Sequence, residues 1–193
     1  MINSINTITG FEYNSLPFLL EKAAVQYKTR CWYNTGFSSV GYNKADVQSD
    51  AIASYLISNG YTRSRYLYIS SEGSYQNTIV CLAAIKAGML LSDTIAIPGS
   101  IFNKKPLSFS NGAFSCKEFK MSFREALKEG GKTFFIHSDA TFYDEQPFGI
   151  FSFADGFKFI TQEDVNQRIV SSEANLPFCI EVMRLWLHGK QFG

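Results

Sequence analysis

YLYISSEGSYQNTIVCLAAIKAGMLLSDTIAIP, residues 66–98, is the stretch that decides the fold. Tyr66-Leu67-Tyr68-Ile69-Ser70 alternates aromatic and aliphatic residues as a strand does, and Ser71-Glu72-Gly73 breaks it. Ser74 then stands where a helix N-cap is needed, and the spacing predicts a helix from Tyr75 to Ala87, ended by Gly88. Ile79-Val80-Cys81-Leu82-Ala83-Ala84-Ile85 is apolar on nearly every side, so this helix is expected between other elements and not on open surface. Leu90-Leu91 and Ile95-Ala96-Ile97 supply a following strand, and strand, helix and strand in this order imply a parallel pair.

Working toward the N-terminus, Ser15-Leu16-Pro17 starts a helix from about 16 to 27, and CWYNTGFSSVGY at 31–42 reads as a short hairpin broken by Gly36 and Gly41. Asn43, with Asp46 three residues on, is expected to cap a second helix that Gly60 closes. Toward the C-terminus the pattern weakens after Pro98, where a subdomain boundary or a long excursion is placed, dividing the chain into 1–98 and 99–193. Residues Phe119 to Lys128 read as helix and Thr133-Phe134-Phe135-Ile136-His137 as strand. Ile150 to Phe153 and Phe157 to Ile160 flank Asp155-Gly156 as a hairpin, Thr161 with Asp164 opens a further helix, and Pro177 opens the last one. The fold class is therefore α/β: a layered, mostly parallel sheet flanked by helices, with an aromatic-rich hairpin and a terminal helix in the C-terminal half.

The chain has 193 residues, 46% hydrophobic and 16% aromatic, enough to bury a core and far from disordered composition. Eighteen Lys+Arg against seventeen Asp+Glu leave a formal charge of +1, so no global field gathers nucleic acid or an anionic membrane, and neither is expected as a partner. The N-terminus lacks the basic start and apolar run of a signal peptide, and no apolar run reaches the ~20 residues that span a bilayer. Cys31, Cys81, Cys116 and Cys179 are widely spaced without a Cys-x-x-Cys, and are read as reduced thiols of a cytoplasmic protein.

Two histidines exclude a three-histidine metal site, and no metal is expected. His137 closes a predicted strand with Asp139 two residues on, and with Cys31 or Cys116 they would make a Cys-His-Asp arrangement if folding joins them. The plainer reading is a hydrogen-bonded histidine at a strand end and packed cysteines. Ser70, Ser71, Gly73 and Ser74, between a strand and a helix N-terminus, suit either a phosphate or carboxylate ligand or simply a turn with a cap. Asp139, Asp144, Glu145, Asp155, Glu163 and Asp164 form an acidic series that reads as solvated loop. The Phe residues from 134 to 178 serve a core, an apolar groove or a partner interface.

Leu16-Pro17-Phe18-Leu19-Leu20-Glu21-Lys22-Ala23-Ala24, then Val40-Gly41-Tyr42-Asn43-Lys44-Ala45-Asp46, then Leu82-Ala83-Ala84-Ile85-Lys86-Ala87-Gly88 occur in an order and spacing that resemble the N-terminal part of acyl- and aminoacyl-adenylating (AMP-binding) enzymes. The likeness covers about residues 15–98. It departs at Met89-Leu90-Leu91-Ser92-Asp93-Thr94, where the family runs into a strand ending in proline and aspartate. The family's phosphate loop with its Lys-Gly pair, its Tyr-Gly-x-Thr-Glu segment, its ribose-binding aspartate motif and its C-terminal lysine have no counterparts here, so no adenylation residue carries over and no cofactor is expected. The resemblance implies a non-adenylating lobe or partner protein that contacts an adenylating enzyme, a carrier protein, an acyl-type ligand or a second copy of itself. The competing expectation is a small acyl-transfer or hydrolytic enzyme using His137 with a nearby Cys or Ser.

Overall fold

A computed structural model describes residues 16–61, 66–70, 72–92, 107–117, 119–132, 149–153, 156–160 and 178–193. The deciding stretch folds as its pattern requires. Strand β3 (Tyr66–Ile69) leads into helix α3 (Tyr75–Lys86), and β4 (Leu90–Ser92) returns parallel to β3 with Leu67 opposite Leu91. Ser74 is the N-cap of α3, its hydroxyl accepting from the Asn77 N–H, and Gly88 takes the left-handed conformation (φ 75°) just past the helix end. Every residue from Asn77 to Lys86 is buried, which is why the apolar residues continue around the helix.

Helix α1 (Leu16–Gln26) precedes a hairpin of β1 (Cys31–Asn34) and β2 (Ser39–Gly41), which forms its own antiparallel two-stranded sheet. Helix α2 (Tyr42–Ser58) follows directly, so its N-cap is Gly41, with no side-chain cap bond. The expected cap at Asn43 is corrected here. The second strand of the hairpin runs straight into the helix, placing Asn43 inside the first turn, where its Oδ1 accepts from the next N–H, and Asp46 is drawn to another partner described below.

Strand β5 (Leu107–Ser110) adds to the other side of β3 in parallel, and a tight turn through Asn111 (φ 49°) and Gly112 (φ 70°) sends β6 (Ala113–Ser115) back antiparallel. Both turn residues are left-handed, the requirement that makes Asn-Gly the usual pair for a two-residue hairpin loop. Strand β7 (Lys120–Ser122) and helix α4 (Phe123–Gly130) come next. The helix expected to begin at Phe119 therefore starts four residues later, because Ser122 and Glu125 form a reciprocal capping box that fixes its entry. Gly130 is buried where a Cβ would lie 1.7 Å from the Ala51 carbonyl oxygen of α2, so only glycine lets the two helices approach this closely.

Strands β8 (Gly149–Phe153) and β9 (Gly156–Ile160) form the expected antiparallel hairpin, and β8 pairs parallel with β4. The sheet order is β7-β6-β5-β3-β4-β8-β9, with a parallel centre of β5, β3, β4 and β8 and antiparallel margins. Residues from both sides of Pro98 thus share one sheet. Helix α5 (Phe178–Leu187) packs on α1 and α3. The expected strand at 133–137, the helix opened by Thr161, the segment 95–97 and the acidic series, apart from its neighbouring strands, lie outside the described residues. Among the described residues no helix is long and apolar enough to cross a membrane.

Candidate functional site

The loop at the carboxyl end of β3 is built from its own hydrogen bonds. Asn77, on the first turn of α3 and 2% exposed, directs its side-chain amide to the Ser70 carbonyl (2.8 Å), the Ser70 hydroxyl (3.2 Å) and the Glu72 carbonyl (2.7 Å). Tyr33 of β1 donates to the Gly73 carbonyl at 2.9 Å, and the ring of Phe192 lies over Gly73. Ser74 donates its N–H to the Glu72 carbonyl. The polar groups of Ser70, Gly73 and Ser74 named here are engaged in forming the turn and capping α3, while Glu72, Gly73 and Ser74 remain exposed. Ser71 lies outside the described residues.

The two half-buried candidate cysteines occupy different sheets. Cys31 begins β1 of the hairpin, its thiol directed at the Tyr33 carbonyl, whereas Cys116 follows β6 with its sulfur 3.8 Å from the Tyr61 hydroxyl. His137 and Asp139 lie outside the described residues. Tyr55 is held above the ordinary phenol range by burial first and then by Cys116.

Two polar constellations escaped the sequence reading. The Lys86 ammonium, with a side chain 1% exposed, reaches Asp46 Oδ1 and Asp50 Oδ1 at 2.6 Å each and Ser49 Oγ at 2.8 Å. It ties the end of α3 to one face of α2, on which residues 46, 49 and 50 line up at i, i+3 and i+4. Its signal was present in the sequence: a lysine that continues a helix buried all round must find a counter-charge nearby in space. The second is Tyr42, whose buried hydroxyl donates to the Lys190 carbonyl at 2.7 Å and lies 3.1 and 3.4 Å from the carbonyls of Leu185 and Trp186. It closes the open C-terminal end of α5. Burial, then the neighbouring Tyr27, pushes this phenol far above its ordinary range.

Tyr42 also sits in an aromatic cluster with Trp186 (ring centroids 4.5 Å) and Trp32 (5.4 Å), and Trp32 meets Trp186 edge-on at 4.8 Å. Each indole N–H is satisfied, Trp186 by the Leu20 carbonyl at 2.8 Å and Trp32 by the Thr78 hydroxyl at 3.2 Å. Phe192 adds to Trp32 and stacks on Tyr33, while its N–H bonds the Trp32 carbonyl. Among the described residues, no group of three or more His, Cys, Asp or Glu is arranged to hold a metal ion.

The mixed α/β fold matches that of solved N-terminal subdomains of adenylate-forming enzymes. The Klebsiella oxytoca NpsA N-terminal subdomain in complex with 3-hydroxyanthranilyl-AMSN superposes with a TM-score of 0.68 at 15% identity, over 92% of this chain and 52% of that one. The luciferase-like enzyme from the nonluminescent Zophobas morio mealworm gives 0.64 at 14% identity, over 94% of this chain and 54% of that chain. The R395G form of coronafacic acid ligase from Pectobacterium brasiliense gives 0.64 at 10%, over 92% and 45%. The chain therefore spans about half the length of the solved structures it matches. No protein-family model matches it. No curated protein matches it either.

Proposed function

We propose that these 193 residues act as a non-adenylating lobe of the adenylate-forming type, working through contact with a protein partner or an acyl-type ligand. The observation that carries this reading is where the shared motifs fall. Tyr42 and Asp46 of the second shared stretch, and Lys86 of the third, meet other helices and are consumed in holding α2, α3 and α5 together. What this chain has in common with the adenylating enzymes is thus framework. The phosphate loop, the Tyr-Gly-x-Thr-Glu segment and the other adenylation motifs have no counterpart in the 193 residues. A likeness spanning nearly all of this chain and about half of its structural neighbours fits a lobe whose chemistry is supplied elsewhere.

The test pairs two measurements on gently purified protein. Exchange of labelled pyrophosphate into ATP, across a panel of aliphatic and aromatic acids, is expected to stay at the no-enzyme background. Native mass spectrometry of the same preparation is expected to show a stoichiometric protein partner or a retained acyl-type ligand. Exchange by the chain alone overturns the non-adenylating reading. A bare monomer whose His137→Ala form loses a hydrolytic activity replaces it with the small-enzyme alternative.

A further inference from the structure

Helices α3 and α5 meet through a pair of thiols that neither polar constellation uses. Cys81 lies in the middle of α3 and is 0% exposed, and Cys179 is the second residue of α5 and is 2% exposed. The Cys81 thiol is directed at the Cys179 carbonyl oxygen, 3.8 Å away, across 98 residues of chain. Two buried thiol-bearing residues from different helices are therefore in direct contact. Both are free thiols in this structure.

We propose that Cys81 and Cys179 are a latent dithiol, which an oxidant of the disulfide class, such as oxidised glutathione, converts to one disulfide that locks α5 onto α3. The chemistry proceeds in two exchanges. The first turn of a helix has unpaired N–H groups and opens more readily than its middle, so Cys179 is the sulfur the oxidant reaches. Its thiolate, having lost a proton, attacks oxidised glutathione, whose S–S bond breaks to leave a mixed disulfide and one glutathione thiolate that takes up a proton. As the turn closes, Cys81 loses its proton and attacks the Cys179 sulfur, releasing the second glutathione. The sum is two protein thiols and one oxidised glutathione giving one protein disulfide and two reduced glutathiones.

Burial, and then the Cys179 side chain, hold the Cys81 thiol well above its ordinary range. The second exchange is accordingly the slow one and gains speed with rising pH. The consequence of closure is large because the loop it seals is long. Helix α5 carries Trp186 and leads into Phe192, so locking it also fixes the aromatic cluster and the cover over Gly73.

The test uses the full chain under native conditions in a graded series of reduced to oxidised glutathione, quenched with an alkylating agent. The expected results are a mass about 2 Da below that of the reduced protein, a linked Cys81–Cys179 peptide in a non-reduced digest, and a rise in Tm of roughly 10 °C. The same results are expected in the Cys31→Ser, Cys116→Ser double variant, which removes the other two thiols. The Tm rise disappears in Cys179→Ala. Recovery of Cys81 and Cys179 as separately alkylated thiols, or only as mixed disulfides, across the whole series overturns the proposal. So does a linked peptide that forms only after denaturation.

Discussion

Two of the seams between the described helices are made of opposite materials. Between α2 and α3 the contact is ionic, one buried ammonium serving two carboxylates and a hydroxyl. Between α2 and α5 it is aromatic, with Tyr42, Trp32 and Trp186 closing on the last helix. Both seams draw on one short segment, since Tyr42 goes to the aromatic side and Asp46, one helical turn later, to the ionic side. The difference teaches where each is vulnerable. The ionic seam converges on the Lys86 ammonium, whereas the aromatic one is spread over several rings whose contacts overlap.

The sharpest way to break that comparison is Lys86→Ala. It leaves Asp46 and Asp50, with side chains 19% and 34% exposed, facing each other beside a cavity without their cation. A loss of about 3–5 kcal/mol is expected in urea unfolding. Replacing the whole set with Lys86→Met, Asp46→Asn and Asp50→Asn is expected to restore most of that loss, because apolar packing with neutral partners removes the stranded charges. If the triple variant is no more stable than Lys86→Ala, the seam is held by packing of the lysine stem and not by its charge.

On the aromatic side, Trp186→Phe keeps a ring against Trp32 and Tyr42 but deletes the indole N–H that bonds the Leu20 carbonyl. The expected cost is about 2–3 kcal/mol, combining lost volume with one lost buried hydrogen bond. A cost equal to that of Lys86→Ala would mean that the aromatic seam, too, hangs on one residue.

Tyr42→Phe is smaller still, about 1–2 kcal/mol, for it removes only the hydroxyl that closes the end of α5. Its signature is the pH dependence. The phenol is raised in the folded protein by burial, so the folded state holds its proton more tightly than the unfolded chain does. The stability it contributes is complete below the unfolded value of about 10 and is lost progressively as pH rises above it. Tyr75, also raised by burial, acts in the same direction. Denaturation midpoints measured from pH 8 to 11.5 are expected to fall more steeply for the native chain than for Tyr42→Phe.

The seams also mark the boundary of what the sequence made legible. Elements whose register is local were readable: β3, α3 and β4 follow from alternation, a serine cap and an apolar run, and the β8–β9 hairpin from its strands and its Asp-Gly turn. The Asn111-Gly112 turn carries an equally strong signal, masked by the prolines that break the pattern around it, and the Ser122–Glu125 spacing of a capping box is the signal that places the start of α4. The start of α2 was misplaced because a strand feeding directly into a helix needs no side-chain cap. Lys86 could be seen as anomalous from its buried helix, yet nothing along the chain says that its partners lie 36 and 40 residues earlier. The same holds for the candidate site, where proximity of Cys31 to Cys116 was a question of topology, and topology put them in separate sheets.

Around Gly73 two elements meet on one turn, because Tyr33 of the hairpin holds Gly73 while Asn77 of α3 holds Ser70 and Glu72. Ser74→Ala separates its two readings at the smallest expected cost. If the serine only caps, the change removes one hydrogen bond to the Asn77 N–H and lowers stability by about 1 kcal/mol. A titration followed by the fluorescence of the nearby Trp32, using inorganic phosphate or acetate as probe, would then give the same flat response in both proteins. A saturable response in the native chain that weakens at least tenfold in Ser74→Ala would instead make the exposed end of α3 a ligand site. The first outcome is the expected one, since the donors an anion would need are already engaged: the Asn77 N–H on the Ser74 hydroxyl, the Ser74 N–H on the Glu72 carbonyl and the Asn77 amide on the Ser70 and Glu72 carbonyls.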